Sequence, residues 1–377
     1  MSMSFTERWQ ARYADRLLGQ AEREISDPRP KMTFRLFIAW VLSVLVLLSP
    51  LVVMCAGVAL IAINFPNIFS IIIGLILIGF GYILMPPSIR NHDKTYRRQD
   101  LPSLFDLLDE IAARLGTTPP DGLHIDDEFN AYMAQFRQAR SREQDWIIGI
   151  GLPLWAGLSP AERVALLAHE MAHKVNDDPM RSGMFFRAKS VLNNWHETFA
   201  LEDGYYDGGF TQVAGTAVTG AFLRLLSWFS FFESQRAEYR ADAQASRVAG
   251  KAAAIKLLEA ITRADLARRA IVDLYPYKTN QNGRIFDCMG AAVAEADTAT
   301  VQRYLAEAAK ARRCVDGSHP PTSLRIAFLD TLPDTNQTDA LNVTNVNFAA
   351  IDAELQPIKD ALGKELMEEL YHAEVNR

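Results

Sequence analysis

Two histidines one helical turn apart are the residues of this 377-residue chain whose types and spacing most directly indicate chemistry. They belong to the segment His169-Glu170-Met171-Ala172-His173, and side chains at positions i and i+4 project from one face of a helix. Two imidazole nitrogens at that separation can reach a single zinc ion, and the glutamate beside them can hold an attacking water. The segment therefore predicts metal-assisted hydrolysis, with His169 and His173 as ligands and Glu170 as general base.

A third protein ligand is required, because catalytic zinc sites use three protein groups and leave the fourth position to water. Asn176 and Pro179 stand where an extended three-histidine motif has glycine and histidine, so that subclass is excluded. The strongest candidate is Glu238, in a segment with a helical pattern. Asp242 follows four residues later on the same face, where its carboxylate can accept the second N–H of a zinc-bound imidazole.

Other interpretations of the third ligand remain open. Glu238 could simply pair with Arg236 or Arg240 on a solvated helix face. His196 and Glu197 are rival donors nearer to the motif, although the polar and glycine-rich residues around them make a rigid helix less assured. The histidine motif favours Glu238.

A late histidine stands at a predicted corner between a loop and a helix. His319 precedes Pro320 and Pro321, which favour extended backbone before them and the start of a helix after them, and Arg325 follows on that helix. His319 and Arg325 could stabilise a developing oxyanion, or His319 could only cap a surface turn. Three further histidines lack partners at ligand spacing and are expected to be structural or exposed: His92, His124 and His372.

The elements that must position these residues form an α+β domain that is mostly helical. Ser159 and Glu162 flank a proline and predict a capping box at the start of the motif helix. Before it, the pattern predicts a helix over residues 101–115 and strands over 123–133 and 146–152, which make a small sheet. Three residues near the end of the first strand could offer backbone to an extended substrate, as any edge strand could: Asn130, Ala131 and Tyr132.

A long apolar run precedes this domain. Residues 36–89 contain no Asp, Glu, Lys, Arg or His, and about 20 apolar residues suffice to cross ~30 Å of hydrocarbon. The run predicts a transmembrane helical hairpin with spans at 36–63 and 68–85. Glycines of the second span are expected to let the two helices approach closely: Gly74, Gly79 and Gly81.

Charge decides the predicted orientation and excludes some partners. Lys and Arg flank the outer ends of the run and are absent from the turn at residues 64–67, so both termini and the catalytic domain are predicted to be cytoplasmic. Residues 1–35 are expected to form an amphipathic segment on that side, on the lipid surface or on the soluble domain. A net charge of −6 provides no general attraction for nucleic acid, and three widely spaced cysteines fit a reducing compartment without a disulfide framework.

These features together resemble the membrane zinc peptidases that include HtpX and the CAAX prenyl proteases. The matching segments, in chain order, are the paired spans, Asn130-Ala131-Tyr132, His169-Glu170-Met171-Ala172-His173, Glu238 with Asp242, and Ser318-His319-Pro320-Pro321 with Arg325 and Ile326. The resemblance implies a zincin-like fold with a small sheet above the active-site helix. It also implies one zinc per chain on His169, His173 and Glu238, Glu170 as base, and His319 and Arg325 near the cleft.

The chain departs from the pattern of that family between the histidine motif and Glu238. HtpX-like members often have further membrane helices there, whereas residues 208–232 contain Arg224 in an apolar stretch. Because an arginine near mid-span is costly, an amphipathic helix on the membrane or over the cleft is favoured over a third crossing. The predicted divisions are an N-terminal segment at 1–35, spans at 36–87, a peptidase domain at 88–333, and a polar linker with a closing helix at 334–377.

The resulting prediction is a membrane-anchored zinc endopeptidase in a bacterial inner membrane. It would cleave proteins at the cytoplasmic membrane face, in quality control of membrane proteins or in processing one substrate, and its predicted partners are peptide or protein substrates and the bilayer. The alternative is a non-catalytic membrane-anchored adaptor with a structural zinc site. The oligomeric state does not follow from the sequence.

Overall fold

A computed structural model describes most of the chain, namely residues 33–85, 94–137, 144–176, 183–200, 210–274, 284–310, 319–334 and 340–375. The predicted amphipathic segment at 1–35 lies outside the described residues apart from positions 33–35. The chain divides into two compact units. Among the described residues, the first contains those at 94–176 and 234–375, and the second contains those at 33–85 and 183–233.

Helices dominate the described residues. In chain order they are α1 (Phe34–Asn64), α2 (Ile68–Ile83), α3 (Pro102–Leu115), α4 (Leu152–Ala156), α5 (Pro160–Val175), α6 (Gly183–Phe199), α7 (Phe210–Ala249), α8 (Lys251–Ile261), α9 (Ala264–Leu274), α10 (Arg284–Ala294), α11 (Thr298–Lys310), α12 (Thr322–Thr331) and α13 (Phe348–Val375). The strands are β1 (Thr95–Tyr96), β2 (Gly122–Asp126), β3 (Ala131–Arg137) and β4 (Gln144–Gly151).

The second unit begins with the predicted helical hairpin, formed by α1 and α2. The Asn67 side chain accepts hydrogen bonds from the N–H groups of Phe69 and Ser70, so it caps α2. Close approach of the helices requires Gly74, because a Cβ there would lie 2.7 Å from the Gly57 carbonyl oxygen. The same prediction is wrong for Gly79, whose Cβ position has no heavy atom of the described residues within 4 Å.

The hairpin packs with α6 and the first part of α7. The shared apolar cluster of this unit contains Leu36, Ala39, Val46, Phe185, Ala188, Val191, Leu192, Trp195 and Leu226. Among the described helices, two are long and apolar enough to cross a membrane: Phe34–Asn64, with a mean hydropathy of 2.8, and the Gln212–Ser230 part of α7, with 1.2. Ile68–Ile83 is apolar but shorter, at 16 residues.

The first unit contains a small mixed sheet with strand order β1-β2-β4-β3. Strands β2 and β4 pair in parallel, whereas β1 and β3 are antiparallel to their neighbours. The predicted single strand at 123–133 is wrong, since it is divided into β2 and β3. The cause is a local turn, in which Asp126 Oδ1 accepts a hydrogen bond of 3.1 Å from the Glu128 N–H.

One face of the sheet packs on α3 and α5 to form the main core of this unit. Leu123, Ile148 and Met133, one from each of β2, β4 and β3, are fully buried there with Leu104 of α3 and Leu167 of α5. Burial of these aliphatic side chains, at about 1.5–3 kcal/mol each, fixes α5 beneath the sheet. The result is the predicted arrangement of a small sheet over the motif helix.

The predicted closing helix within residues 334–377 is α13. It begins at Phe348, because Asn347 accepts a hydrogen bond from the Ala350 N–H, and it continues through Pro357 to Val375. The carboxylate of Glu354 on this helix accepts hydrogen bonds from the N–H groups of Ser103 and Leu104, at 2.8 and 3.3 Å. A carboxylate at the end of the chain thereby caps α3, about 250 residues earlier.

Candidate metal centre

Helix α5 holds the histidine motif rigidly. Its first turn has the predicted capping box, in which the Ser159 N–H donates to Glu162 Oε2 at 3.0 Å. The motif lies in the buried second half of the helix, where the exposed fractions are 5% for His169, 4% for Glu170 and 0% for His173. The two imidazole rings have centroids 5.1 Å apart and are nearly perpendicular.

Glu238 reaches these histidines from α7. Its carboxylate lies 3.4 Å from His169 Nε2 through Oε2 and 3.6 Å from His173 Nε2 through Oε1. One ligand atom from each of His169, His173 and Glu238 lies within 4.8 Å of the others. The structure therefore brings together the three side chains for which the sequence predicts metal binding, and it does so with all three buried.

The dimensions and charges of this cluster fit a divalent metal ion. Two nitrogen or oxygen donors bound tetrahedrally to zinc at ~2.0–2.2 Å lie about 3.3–3.6 Å apart, which matches the two distances from Glu238. The carboxylates of Glu170, Glu238 and Asp242 are buried together with one guanidinium, that of Arg325. With neutral imidazoles the cluster has two excess negative charges, and a divalent cation compensates them. Glu170 Oε2 is buried and has no hydrogen-bond partner among the described residues.

The Asp242 carboxylate contacts the His169 imidazole at Nδ1, the ring nitrogen that does not face Glu238. Its Oδ1 lies 3.1 Å from His169 Nδ1, so this nitrogen carries the proton and Nε2 faces Glu238. Arg325 in turn holds Asp242 with two hydrogen bonds, from Nε to Oδ2 at 2.8 Å and from Nη2 to Oδ1 at 2.6 Å. This ordered series of contacts fixes the ring of His169 in the orientation that presents Nε2 to a metal.

His319 approaches the same centre from the residues before α12. Its Nδ1 lies 2.8 Å from Glu238 Oε2, while 47% of its side chain remains exposed. It is therefore the one member of the cluster, among the described residues, that connects the buried carboxylate to solvent. Pro321 is the N-cap of α12, so the predicted corner between loop and helix is present.

Without a metal ion, the electrostatics of the cluster hold Glu238 and Asp242 as carboxylates and His169 as an imidazolium, and a bound zinc ion would replace the proton on His169 Nε2. Burial alone raises the pKa of Glu238, but the charges and hydrogen bonds of His319, His169 and Arg325 hold it well below its ordinary value. Burial raises the pKa of Asp242 too, and its ion pair with Arg325 outweighs that effect and lowers the pKa. Burial lowers the pKa of His169, yet its hydrogen bonds with Asp242 and Glu238 raise the pKa to about 9.

Comparison with known proteins identifies this arrangement. The model of Peptidase family M48 matches residues 102–332, which include α3, strands β2, β3 and β4, the histidine motif, Glu238 and Arg325. The chain belongs to peptidase family M48. It is therefore a member of a family of proteases.

Individual relatives have modest sequence identity to the chain. The chain is 27% identical over 158 residues to Protease HtpX of Aeromonas salmonicida (strain A449), covering 38% of this chain and 53% of that protein. It is 27% identical over 172 residues to Protease HtpX of Pseudomonas putida (strain W619), covering 41% and 54%. The chain thus spans about half the length of the curated relatives it matches. No solved structure matches the chain.

The residues predicted to bind the substrate backbone lie at the start of strand β3 and just before it. Asn130 and Ala131 lie at the start of β3, where Asn130 Oδ1 accepts a hydrogen bond from the Ala131 N–H at 2.9 Å. The Tyr132 ring covers Gly149 of β4, on the face of the sheet away from the core. Strand β3 is an edge of the sheet and packs against α5.

The rival donors lie in the second unit. His196 and Glu197 are on α6, so the helix that the surrounding residues made less assured is present. The His196 Nδ1 lies 3.0 Å from Thr219 Oγ1. A contact with an oxyanion is one role predicted for Arg325. Its side chain is buried, and its guanidinium donates two hydrogen bonds to the Asp242 carboxylate. Sequence reasoning missed this bidentate pair, because no local pattern connects two residues 83 positions apart.

Removal of the Asp242 carboxylate tests its positioning role. In the full-length protein, Asp242→Asn is expected to weaken zinc binding by roughly 10–100-fold, since loss of a group that orients a metal-bound histidine has effects of that size. Zinc affinity would be measured by competition with a chromogenic chelator. Asp265→Asn makes the same chemical change at an exposed site on α9 and should leave the affinity unchanged. A folded Asp242→Asn protein with the affinity of the original protein would contradict the assignment.

Proposed function

We propose that the chain is a membrane-anchored zinc endopeptidase that hydrolyses peptide bonds of proteins at the cytoplasmic face of the membrane. The observation that carries the proposal is the meeting of His169, His173 and Glu238 around one point, with the unpartnered carboxylate oxygen of Glu170 beside them. Membership of a peptidase family supports the reaction class.

The ligands and the general base have different roles in the proposed reaction. His169, His173 and Glu238 would hold zinc, which supplies a Lewis acid that acidifies water and polarises a peptide carbonyl. Glu170 accepts the proton of the attacking water and transfers it to the nitrogen of the leaving amine. Its buried position beside the ligands keeps bulk water from competing for this proton.

His319 and Arg325 have different roles in this proposal. His319 is half-exposed, and its Nδ1 donates a hydrogen bond to Glu238. In the imidazolium form its other ring nitrogen also carries a proton and can donate to a substrate oxygen that gains negative charge. Arg325 is a positioning residue, because its guanidinium holds Asp242, and Asp242 holds His169. Through this route Arg325 determines the geometry of a ligand without contact with the substrate.

Strand β3 is the proposed docking site for the substrate backbone. It is an edge strand that packs against the helix of the histidine motif, and an extended peptide can add to such an edge through main-chain hydrogen bonds. Asn130, Ala131 and Tyr132 form the start of this edge. Main-chain pairing would align a scissile bond with the centre while requiring little of the side chains of the substrate.

The second unit is the proposed membrane anchor. Its α1 has a mean hydropathy of 2.8 and exposes large apolar side chains along its length, among them Phe37, Leu45, Val52 and Ile63. Exposed aliphatic surface of this extent is stable in hydrocarbon and unfavourable in water. Positive charges at the outer ends of the predicted hairpin support a cytoplasmic position for the catalytic unit. Labelling of introduced cysteines from each side of the membrane would test this orientation.

Metal removal tests the proposed reaction. Full-length protein in mild detergent is expected to cleave casein, to lose that activity on treatment with 1,10-phenanthroline, and to regain it on addition of about one equivalent of zinc. Fragments would be followed by gel electrophoresis and mass spectrometry. Stoichiometric zinc without any cleavage of casein or of the protein itself would instead support the adaptor with a structural zinc site.

A further inference from the structure

A concave site lies between α6 and α7 of the second unit, and its lining residues come between His173 and Glu238 in the sequence. Its cavity has a volume of about 690 Å³, which is within the range of small-ligand sites. The lining combines the apolar side chains of Val213, Ala217 and Leu223 with a few polar side chains, including His196, Gln212 and Arg224. Such a lining suits a ligand with an apolar body and a polar head.

The polar side chains at this cavity have a defined hydrogen-bond pattern. Thr219 Oγ1 donates to the Gly215 carbonyl at 2.8 Å, so it accepts the hydrogen bond of 3.0 Å from His196 Nδ1. The Nε2 atom of His196 is then left for a further partner. A Cβ on Gly220 would lie 3.4 Å from His196 Cε1 and 3.7 Å from Arg224 Nη2, so the imidazole and the guanidinium border the same gap.

Arg224 gives the cavity a positive charge. It is the only charged residue of the apolar stretch Gln212–Ser230. Its Nε donates to the Gly220 carbonyl at 3.1 Å, and among the described residues its remaining N–H groups have no acceptor. A guanidinium in a membrane helix is costly unless it is paired or reaches the interface. An anionic group beside Arg224 would remove that cost.

We infer that this cavity binds an anionic phospholipid of the surrounding bilayer. The phosphate accepts hydrogen bonds from Arg224 and lies beside His196, and an acyl chain follows the apolar lining formed by Val213, Ala217 and Leu223. Basic pockets between membrane helices recognise anionic head groups by this combination of charge and apolar surface. The inference depends on the proposed insertion of the second unit in the membrane, and it concerns a site separate from the zinc ligands.

Lipid titration with native mass spectrometry tests the inference on the full-length protein in mild detergent. Phosphatidylglycerol is expected to bind at least about tenfold more tightly than phosphatidylcholine, because the choline cation of phosphatidylcholine offsets its phosphate charge and repels the guanidinium of Arg224. Arg224→Gln should reduce phosphatidylglycerol binding to the level of phosphatidylcholine. Arg187→Gln removes the same charge from an exposed site on α6 outside the cavity and should retain the preference. Gly220→Leu keeps the charge, fills the gap, and should also abolish the preference.

Three results would overturn the inference. They are equal binding of the two lipids by the original protein, an unchanged preference in Arg224→Gln, or full competition by millimolar inorganic phosphate, which would assign the site to a free anion. Extraction of cell membranes with alkaline carbonate is a separate test of membrane insertion. A protein that remains in the membrane but shows no lipid preference contradicts this inference alone, whereas a protein released by carbonate contradicts the proposed anchor.

Discussion

Glu170→Gln is expected to lower kcat for casein cleavage by roughly 10²–10⁴-fold while leaving about one zinc per chain. The amide has nearly the same shape as the carboxylate but cannot accept a proton, so the variant removes the proposed general base and preserves the packing of α5. The buried Glu170 Oε2 has no hydrogen-bond partner among the described residues, so the substitution breaks no contact there. Cleavage would be followed with a fluorogenic casein and metal content by mass spectrometry.

Glu162→Gln is the matched control for this variant. It makes the same change on the same helix, at a capping position where glutamine also serves, so activity should remain at the original level. Glu170→Gln protein that retains zinc and cleaves casein within a few-fold of the original rate would remove Glu170 from the proposed mechanism. Loss of zinc from that variant would instead place Glu170 among the ligands.

Glu238→Ala is expected to weaken zinc binding by more than the roughly 10–100-fold effect of losing an orienting residue, and to reduce activity to background. The physical reason is that two imidazoles alone leave zinc with too few protein ligands for a stable site. Chelator competition and casein cleavage would be measured on the same full-length preparations.

The rival donors provide the control for Glu238. His196→Ala and Glu197→Gln should keep zinc affinity and activity at the original level, because His196 is bound to Thr219 in the second unit. If Glu238→Ala retained zinc while either rival variant lost it, the predicted third ligand would be wrong. A reduced thermal stability of Glu238→Ala that added zinc does not restore is also expected, since a metal stabilises only a folded state that binds it.

Sequence could predict the parts of the centre that depend on local geometry. The turn of a helix alone places His169 beside His173, and Glu238 on the same face as Asp242. The capping box at Ser159 likewise depends on four consecutive residues. Recognition of the family pattern then connected the two helices, a step that spacing could not supply.

Other features depend on tertiary packing and could not be predicted in this way. Arg325 holds Asp242 only because α12 packs beside α7, so the bidentate ion pair between these residues could not be predicted from local spacing. The apolar pattern over residues 123–133 continues through a turn that the Asp126 side chain stabilises. The pattern therefore predicted one strand where the structure has two. The stretch at 208–232, for which an amphipathic helix was expected, is mostly the first part of α7, which continues from Phe210 to Ala249 and includes Glu238.

X-ray absorption spectroscopy of the zinc-loaded, full-length protein tests most directly whether His169, His173 and Glu238 hold one metal ion. We predict zinc near one equivalent per chain, coordinated by about four nitrogen and oxygen atoms at ~2.0–2.2 Å, with the scattering of two imidazoles. Glu238→Ala should lose this signal. A sulfur contribution at ~2.3 Å, or bound zinc whose spectrum is the same in Glu238→Ala, would contradict this prediction.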